Sequence, residues 1–133
     1  MLNEHIEMLC KELDITPVPK WDQKKILALS IGYEKILCKD LQPGLSMQAP
    51  ICPTPQKRKE EIFSHIMHGN LLGQGTGLAR IGLDHDEKFL TLCLGLPYEL
   101  SYQQFRDRLE DFVGYINYWR TTIANMESEA SLI

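Results

Sequence analysis

The sequence predicts an α+β fold, a two-layer sandwich in which an antiparallel sheet is packed by helices in the order α-β-β-β-α-β-β-α. Three observations predict it. Apolar residues recur every three to four positions in three separate segments, which is the spacing of one face of a helix. Five short segments read as strands, and three of them place apolar residues at every second position, the period of a strand covered on one side. The strand-like segments are grouped and joined by short turns, too short for the crossovers that parallel strands need.

The first helix is read over Leu2 to Leu13, where Leu2, Ile6, Leu9 and Leu13 share one face and Glu4, Glu7, Lys11 and Glu12 fill the rest. Thr16-Pro17-Val18-Pro19 stops it, because proline cannot donate to a helical ladder. Ile26 to Ile31 then shows period two, with Leu27, Leu29 and Ile31 on one side, and Lys35 to Leu41 forms a second strand after the turn at Gly32-Tyr33-Glu34. A third strand holds Leu45, Met47, Ala49 and Ile51, making an antiparallel meander; the prolines at 50, 53 and 55 restrict its end to a sheet edge or an extended linker.

A second helix covers Gln56 to His68, with Ile62, Phe63, Ile66 and Met67 on its apolar face and Gly69-Asn70 as its stop. A glycine-bearing link leads to a hairpin of Ala79 to Leu83, the turn Asp84 to Glu87, and Phe89 to Leu96. The leucines at 90, 92, 94 and 96 make that last segment the best candidate for a central strand. Ser101 and Gln104 have the spacing of a capping box for the longest helix, whose stripe is Phe105, Leu109, Phe112, Ile116, Trp119 and Ile123.

At 133 residues the chain fits a single domain, 1–133, with the polar end 126–133 expected to fray. With 44% hydrophobic and 24% charged residues it falls among soluble globular proteins, and no apolar run reaches the roughly 18 residues of a membrane span. The first residues carry Glu4 and Glu7 where a secretory signal carries bases, so a cytoplasmic location is expected. A net charge of −4 weighs against a general nucleic-acid binder. Cys10, Cys38, Cys52 and Cys93 are scattered without a Cys-x-x-Cys pair, which favours small core residues over a disulfide framework or a thiolate metal site.

Each chemical motif has a simpler account. Gly73, Gly75 and Gly77 follow a helix and precede a strand, the reverse of a dinucleotide fingerprint, so they are read as a flexible or left-handed connection. His65 and His68 lack further metal ligands at a suitable spacing. Asp84, Asp86 and Glu87 lack the remaining ligands of a calcium loop. Ser30, Ser46, Ser64 and Ser101 lack the glycine-flanked setting of a nucleophile. Lys57-Arg58-Lys59 could meet an anionic partner, but Glu60 and Glu61 follow at once, as in a solvated helix start. No catalysis, cofactor or metal is expected. A domain this small cannot bury every stripe, and leftover apolar surface on a soluble chain points to a protein partner.

The stretch from Ile66 to Arg120 resembles the CesT-like (Tir chaperone) family of class I type III secretion chaperones. The resemblance rests on a helix ending in Asn70-Leu71, a glycine-bearing link, the strand Gly82-Leu83-Asp84, a leucine-rich strand ending in Leu96-Pro97, and a final helix with Leu109, Glu110, Phe112, Val113 and a late Trp119. It implies a cytoplasmic, ATP-independent chaperone that keeps the N-terminal region of a secreted effector or secretion-apparatus substrate export-competent. It implies a homodimer, or a heterodimer with another type III chaperone. Carried over, Ile62, Phe63, Ile66, Met67 and Ile81 are the expected dimer interface, and Leu2, Ile6, Leu9, Ile36 and Met47 the expected substrate-binding residues. Because some relatives act in transcription control, the alternative is a regulatory protein that binds RNA polymerase or a regulator.

Overall fold

The structure is a computed structural model and describes residues 2–42, 44–97 and 99–131. Its elements are α1 (Leu2–Glu12), β1 (Ile26–Ile31), β2 (Glu34–Asp40), β3 (Leu45–Pro53), α2 (Lys59–Asn70), a 3-10 turn (Leu71–Gly73), β4 (Arg80–Leu83), β5 (Phe89–Leu96) and α3 (Tyr102–Ser131). The five strands form one antiparallel sheet in the order β1-β2-β3-β5-β4. The three helices pack on one face of it, so the predicted α+β sandwich is the fold.

One hydrophobic cluster fills the space between the layers. The whole stripe of α3, from Phe105 to Ile123, is buried, as are Leu90, Leu92, Leu94 and Leu96 of β5. The capping box forms as the spacing requires. Gln104 N–H donates to Ser101 Oγ (3.1 Å), and Ser101 N–H donates to Gln104 Oε1 (2.9 Å).

Several boundaries differ from the sequence reading. β3 continues through Pro50 to Pro53 and is the middle strand, with β5 beside it. The prolines fit because pairing of β2 with β3 reaches only Leu37↔Gln48, so beyond Gln48 one side of β3 is a local edge. There Arg120 substitutes for a strand: its Nε donates to Ile51 O (2.7 Å) and its Nη2 to Pro50 O (3.2 Å), while the guanidinium also grips the buried Glu34.

α2 begins at Lys59 rather than Gln56, after Arg58 in a left-handed conformation (φ 53°). It runs past Gly69, which serves close packing instead of stopping the helix: a Cβ there would lie 2.6 Å from the Trp119 ring. Of the tail expected to fray, 126–133, residues 132 and 133 lie outside the described residues, and α3 is helical to Ser131. Arg58 explains this, since it donates to Met126 O (3.1 Å) and pairs with Glu129 (2.8 Å) and with Glu61. Among the described residues no helix is long and apolar enough to cross a membrane.

Candidate functional site

The sheet has two edges, and they are finished differently. At β4 the Asn70 amide acts like a piece of strand: its Nδ2 donates to Ile81 O and its Oδ1 accepts from Ile81 N–H, both at 2.9 Å. At that edge the end of α2 therefore occupies the main-chain groups of Ile81, in the middle of a four-residue strand. At β1, Asp22 engages only the first residue, with its Oδ1 accepting from Ile26 N–H (3.0 Å) and its own N–H donating to Ile26 O (2.9 Å). Strand alternation points the main-chain groups of Ala28 and Ser30 toward the same open side. No proline or charged residue guards Ile26–Ile31, which are the usual defences of an exposed edge.

Two grooves of about 270 Å³ each flank this edge on the helix side. One is lined by Leu9, Leu13, Ile31, Arg106, Leu109, Glu110 and Val113, and the Arg106–Glu12 ion pair (3.3 Å) ties α1 to α3 beside it. The other is lined by Asn3, Ile6, Glu7, Val18, Pro19, Lys20, Trp21 and Leu27, and Trp21 Nε1 donates to Asn3 Oδ1 (2.7 Å) to hold its wall. α1 lies between them, anchored by Ile6, Leu9 and Cys10 and by His5, whose Nε2 lies 2.7 Å from Leu100 O. Leu27 and Ile31 point the same way and are four residues apart, which is about 13 Å along a strand.

Of the five expected substrate residues, Ile6 and Leu9 form groove floors and Leu2 is half-buried. Ile36 and Met47 correct the expectation: both are 0% exposed, because they lie on the helix-facing side of their strands and are enclosed by the core. The exposed apolar side chains here include Met8, Leu13 and Val18, of which sequence reasoning placed only Leu13 on an apolar face, as part of a helix stripe. Trp21 was the available signal, an aromatic residue just after two prolines in a polar stretch.

A second apolar surface lies at the end of α2. Met67 (72% exposed), Leu71, Leu72 (87%) and Leu78 are all solvent-facing, and Leu72 and Leu78 line one depression with Gly77 and Tyr115. Among the expected dimer residues, Met67 belongs to this surface and Phe63 is half-buried. Ile62, Ile66 and Ile81 face the chain's own core and are not available to a partner, because α2 turns that side toward the sheet and α3. The leucines at 71, 72 and 78 were missed because they sit in and around the glycine link, where no periodicity marks them.

The glycine link is packed rather than open. Gly73 and Gly77 take positive φ, and a Cβ at Gly75 or Gly77 would crowd Gly69 or Tyr115 at 3.0 Å. All four cysteines are free. Burial pushes the Cys38 thiol up to about 12 and is the main cause that takes Cys52 to about 11, with Glu127 adding to the rise and Arg120 opposing it. These thiols stay protonated near neutral pH and are poor nucleophiles. Cys93 is half-buried on the outward face of β5, so it is not the core residue that was expected.

The sequence profile of the Tir chaperone protein (CesT) family matches residues 4–120. No curated protein sequence matches the chain. Among solved structures, the fold superposes on a chain of the HopA1-SchA chaperone-effector complex with TM-score 0.69 and 14% identity, covering 90% of this chain and 93% of that one. A chain of the ExsC-ExsE complex gives TM-score 0.70 at 13% identity, with 90% and 91% covered. A chain of the ExoT-SpcS complex from Pseudomonas aeruginosa gives 0.61 at 20%, with 86% and 92% covered. At these identities the superpositions establish the fold.

Proposed function

Since the chain belongs to the Tir chaperone protein (CesT) family, we propose that it is a cytoplasmic type III secretion chaperone that holds an extended segment of a secreted effector along β1. The observation that carries this reading is the difference between the two sheet edges. Asn70 occupies Ile81 in the four-residue β4, whereas in the six-residue β1 the main-chain groups of Ala28 and Ser30 have no partner among the described residues and lie between two grooves. An added strand gains main-chain hydrogen bonds at Ala28 and Ser30, and its side chains on the helix side enter the grooves. Because the grooves open beside Leu27 and Ile31, the bound segment carries two apolar residues four positions apart. Binding of this kind draws on apolar burial and strand pairing and needs no ATP.

The surface of Met67, Leu71, Leu72 and Leu78 is the dimer contact in this reading, with Phe63 at its margin. It is on a different part of the molecule from the β1 edge, so a dimer, with itself or with another chaperone, leaves the substrate site open.

Co-expression with secretion substrates encoded nearby, followed by gel filtration, tests the proposal. A stable complex is expected with one of them. Ala28→Pro removes an N–H that points away from β2, so it should leave the circular dichroism spectrum intact and abolish co-elution. Leu13→Asp should do the same by placing a charge in a groove. Co-elution unaffected by both variants would remove β1 as the site. Recovery of RNA polymerase subunits instead of a secreted polypeptide would favour the transcriptional alternative.

A further inference from the structure

Glu110 borders two hollows. On one side of α3 it lines the groove beside β1 with Leu13, Ile31 and Val113. On the other it lines a recess of about 580 Å³ between α3 and the glycine link, together with Gly75, Asp111, Gly114, Tyr115 and Tyr118. Glu110, Gly114 and Tyr118 follow one another at intervals of four, so they stand on one face of the helix. Gly114 leaves a gap in that row. It is exposed, a Cβ there would meet nothing within 4 Å, and glycine in mid-helix costs stability that nothing in the fold requires.

The recess combines negative charge with aromatic surface. Neither Glu110 nor Asp111 forms an ion pair among the described residues, and no Lys or Arg lines the recess. The neighbouring cations of α3 are engaged or placed elsewhere: Arg106 pairs with Glu12, and Arg108 lines the depression of Leu72 and Leu78. Tyr118 is 55% exposed and meets the Trp119 ring at right angles (5.6 Å), while Trp119 is held by Gly75 O, so the phenol ring makes a firm wall. Carboxylates beside aromatic rings suit a guanidinium, which is flat, stacks on rings and pairs with a carboxylate at two points.

We propose that this recess takes an arginine side chain of the guest polypeptide, whose main chain leaves the groove beside Val113 and crosses α3 over the gap at Gly114. The identity of the guest rests on the β1 reading. Continuity of the two hollows through Glu110 selects a polypeptide over a free guanidinium compound. A helix is about 10 Å across, which about three extended residues span. The guest therefore carries an arginine three positions from the apolar residue that fills the groove.

The amides of Gly75 and Gly114 report on the site in 15N NMR spectra of the full chain. N-acetyl-arginine amide probes the recess without the groove; it should shift both amides, and the effect should fade as salt rises. Its citrulline counterpart, which has the shape without the charge, should shift neither. The peptide N-acetyl-Leu-Ala-Ala-Arg-amide, also made in reverse order, should bind about tenfold more tightly than blocked arginine in one of the two orders. Replacing its leucine by alanine should remove that gain. Glu110→Gln with Asp111→Asn should weaken arginine binding by at least about tenfold, read at Gly75. Gly114→Met fills the gap and should weaken the peptide. All three positions are exposed, and an unchanged circular dichroism melt confirms the fold. No shift with either probe, equal shifts with citrulline, or affinity unchanged in the doubly substituted chain overturns the proposal. A peptide no tighter than blocked arginine in either order assigns the recess to a free guanidinium compound, and the guest's arginine is then excluded. Co-elution of a secretion substrate is read separately: its absence removes the β1 reading, and its presence without the amide shifts removes this site alone.

Discussion

Trp119 is 1% exposed; it donates its Nε1 hydrogen to Gly75 O (2.8 Å) and lies against Gly69, so one side chain fixes the α2 end and the link on α3. Asn70 completes that corner from the other side. Asn70→Leu strands the Ile81 N–H and C=O and should cost about 1–3 kcal/mol in urea unfolding. Asn70→Asp keeps the acceptor but faces Ile81 O with a carboxylate, so it should not restore stability. A second residue-scale prediction concerns pH. The folded Cys38 thiol lies at about 12 against an ordinary 9.0, so its contribution is complete below pH 9 and declines as pH climbs toward 12. The urea midpoint should fall over that window and fall less in Cys38→Ala. The Ser101–Gln104 box was legible in sequence because both partners lie within one turn. The Asn70 clamp was not, because its partner is on a strand brought alongside only by the fold.

At the level of elements, the stripe of α3 and the alternation of the strands were readable, since each is a local period imposed by one covered face. The place of β3 was not. Its prolines suggested an edge, and the structure supplies one locally by ending β2 pairing at Gln48 and bringing Arg120 to the exposed carbonyls. Arg120→Met should leave the Glu34 carboxylate, 7% exposed, without its partner. The expected cost is about 2–3 kcal/mol, below that of a fully buried pair because the Arg120 side chain is 42% exposed. Arg120→Met with Glu34→Gln should recover much of it, which a double-mutant cycle in denaturant measures. The start of α2 was also misplaced from sequence, because Arg58 is set by Glu129, seventy-one residues away.

For the molecule as a whole, sequence reasoning reached the sandwich and the presence of surplus apolar surface, but placed much of that surface on residues that the core encloses. Periodicity identifies a covered face; it does not say whether the cover is the chain itself or a partner. Leu72→Asp and Met67→Asp alter exposed positions at the proposed dimer contact, so both should leave the monomer folded and lower the mass by light scattering from that of the proposed dimer to that of a monomer. Phe63→Asp should also dissociate the dimer, with some loss of stability since Phe63 is half-buried. An unchanged mass in all three would move the contact elsewhere. Finally, Asp22 has a consequence for any guest that lies along β1. It already holds Ile26, so it acts as a doorstop, and the visitor cannot creep toward the 16–22 segment. The frame in which the visitor's side chains arrive is then set by the host, and unrelated sequences can share one berth as long as their greasy residues keep step.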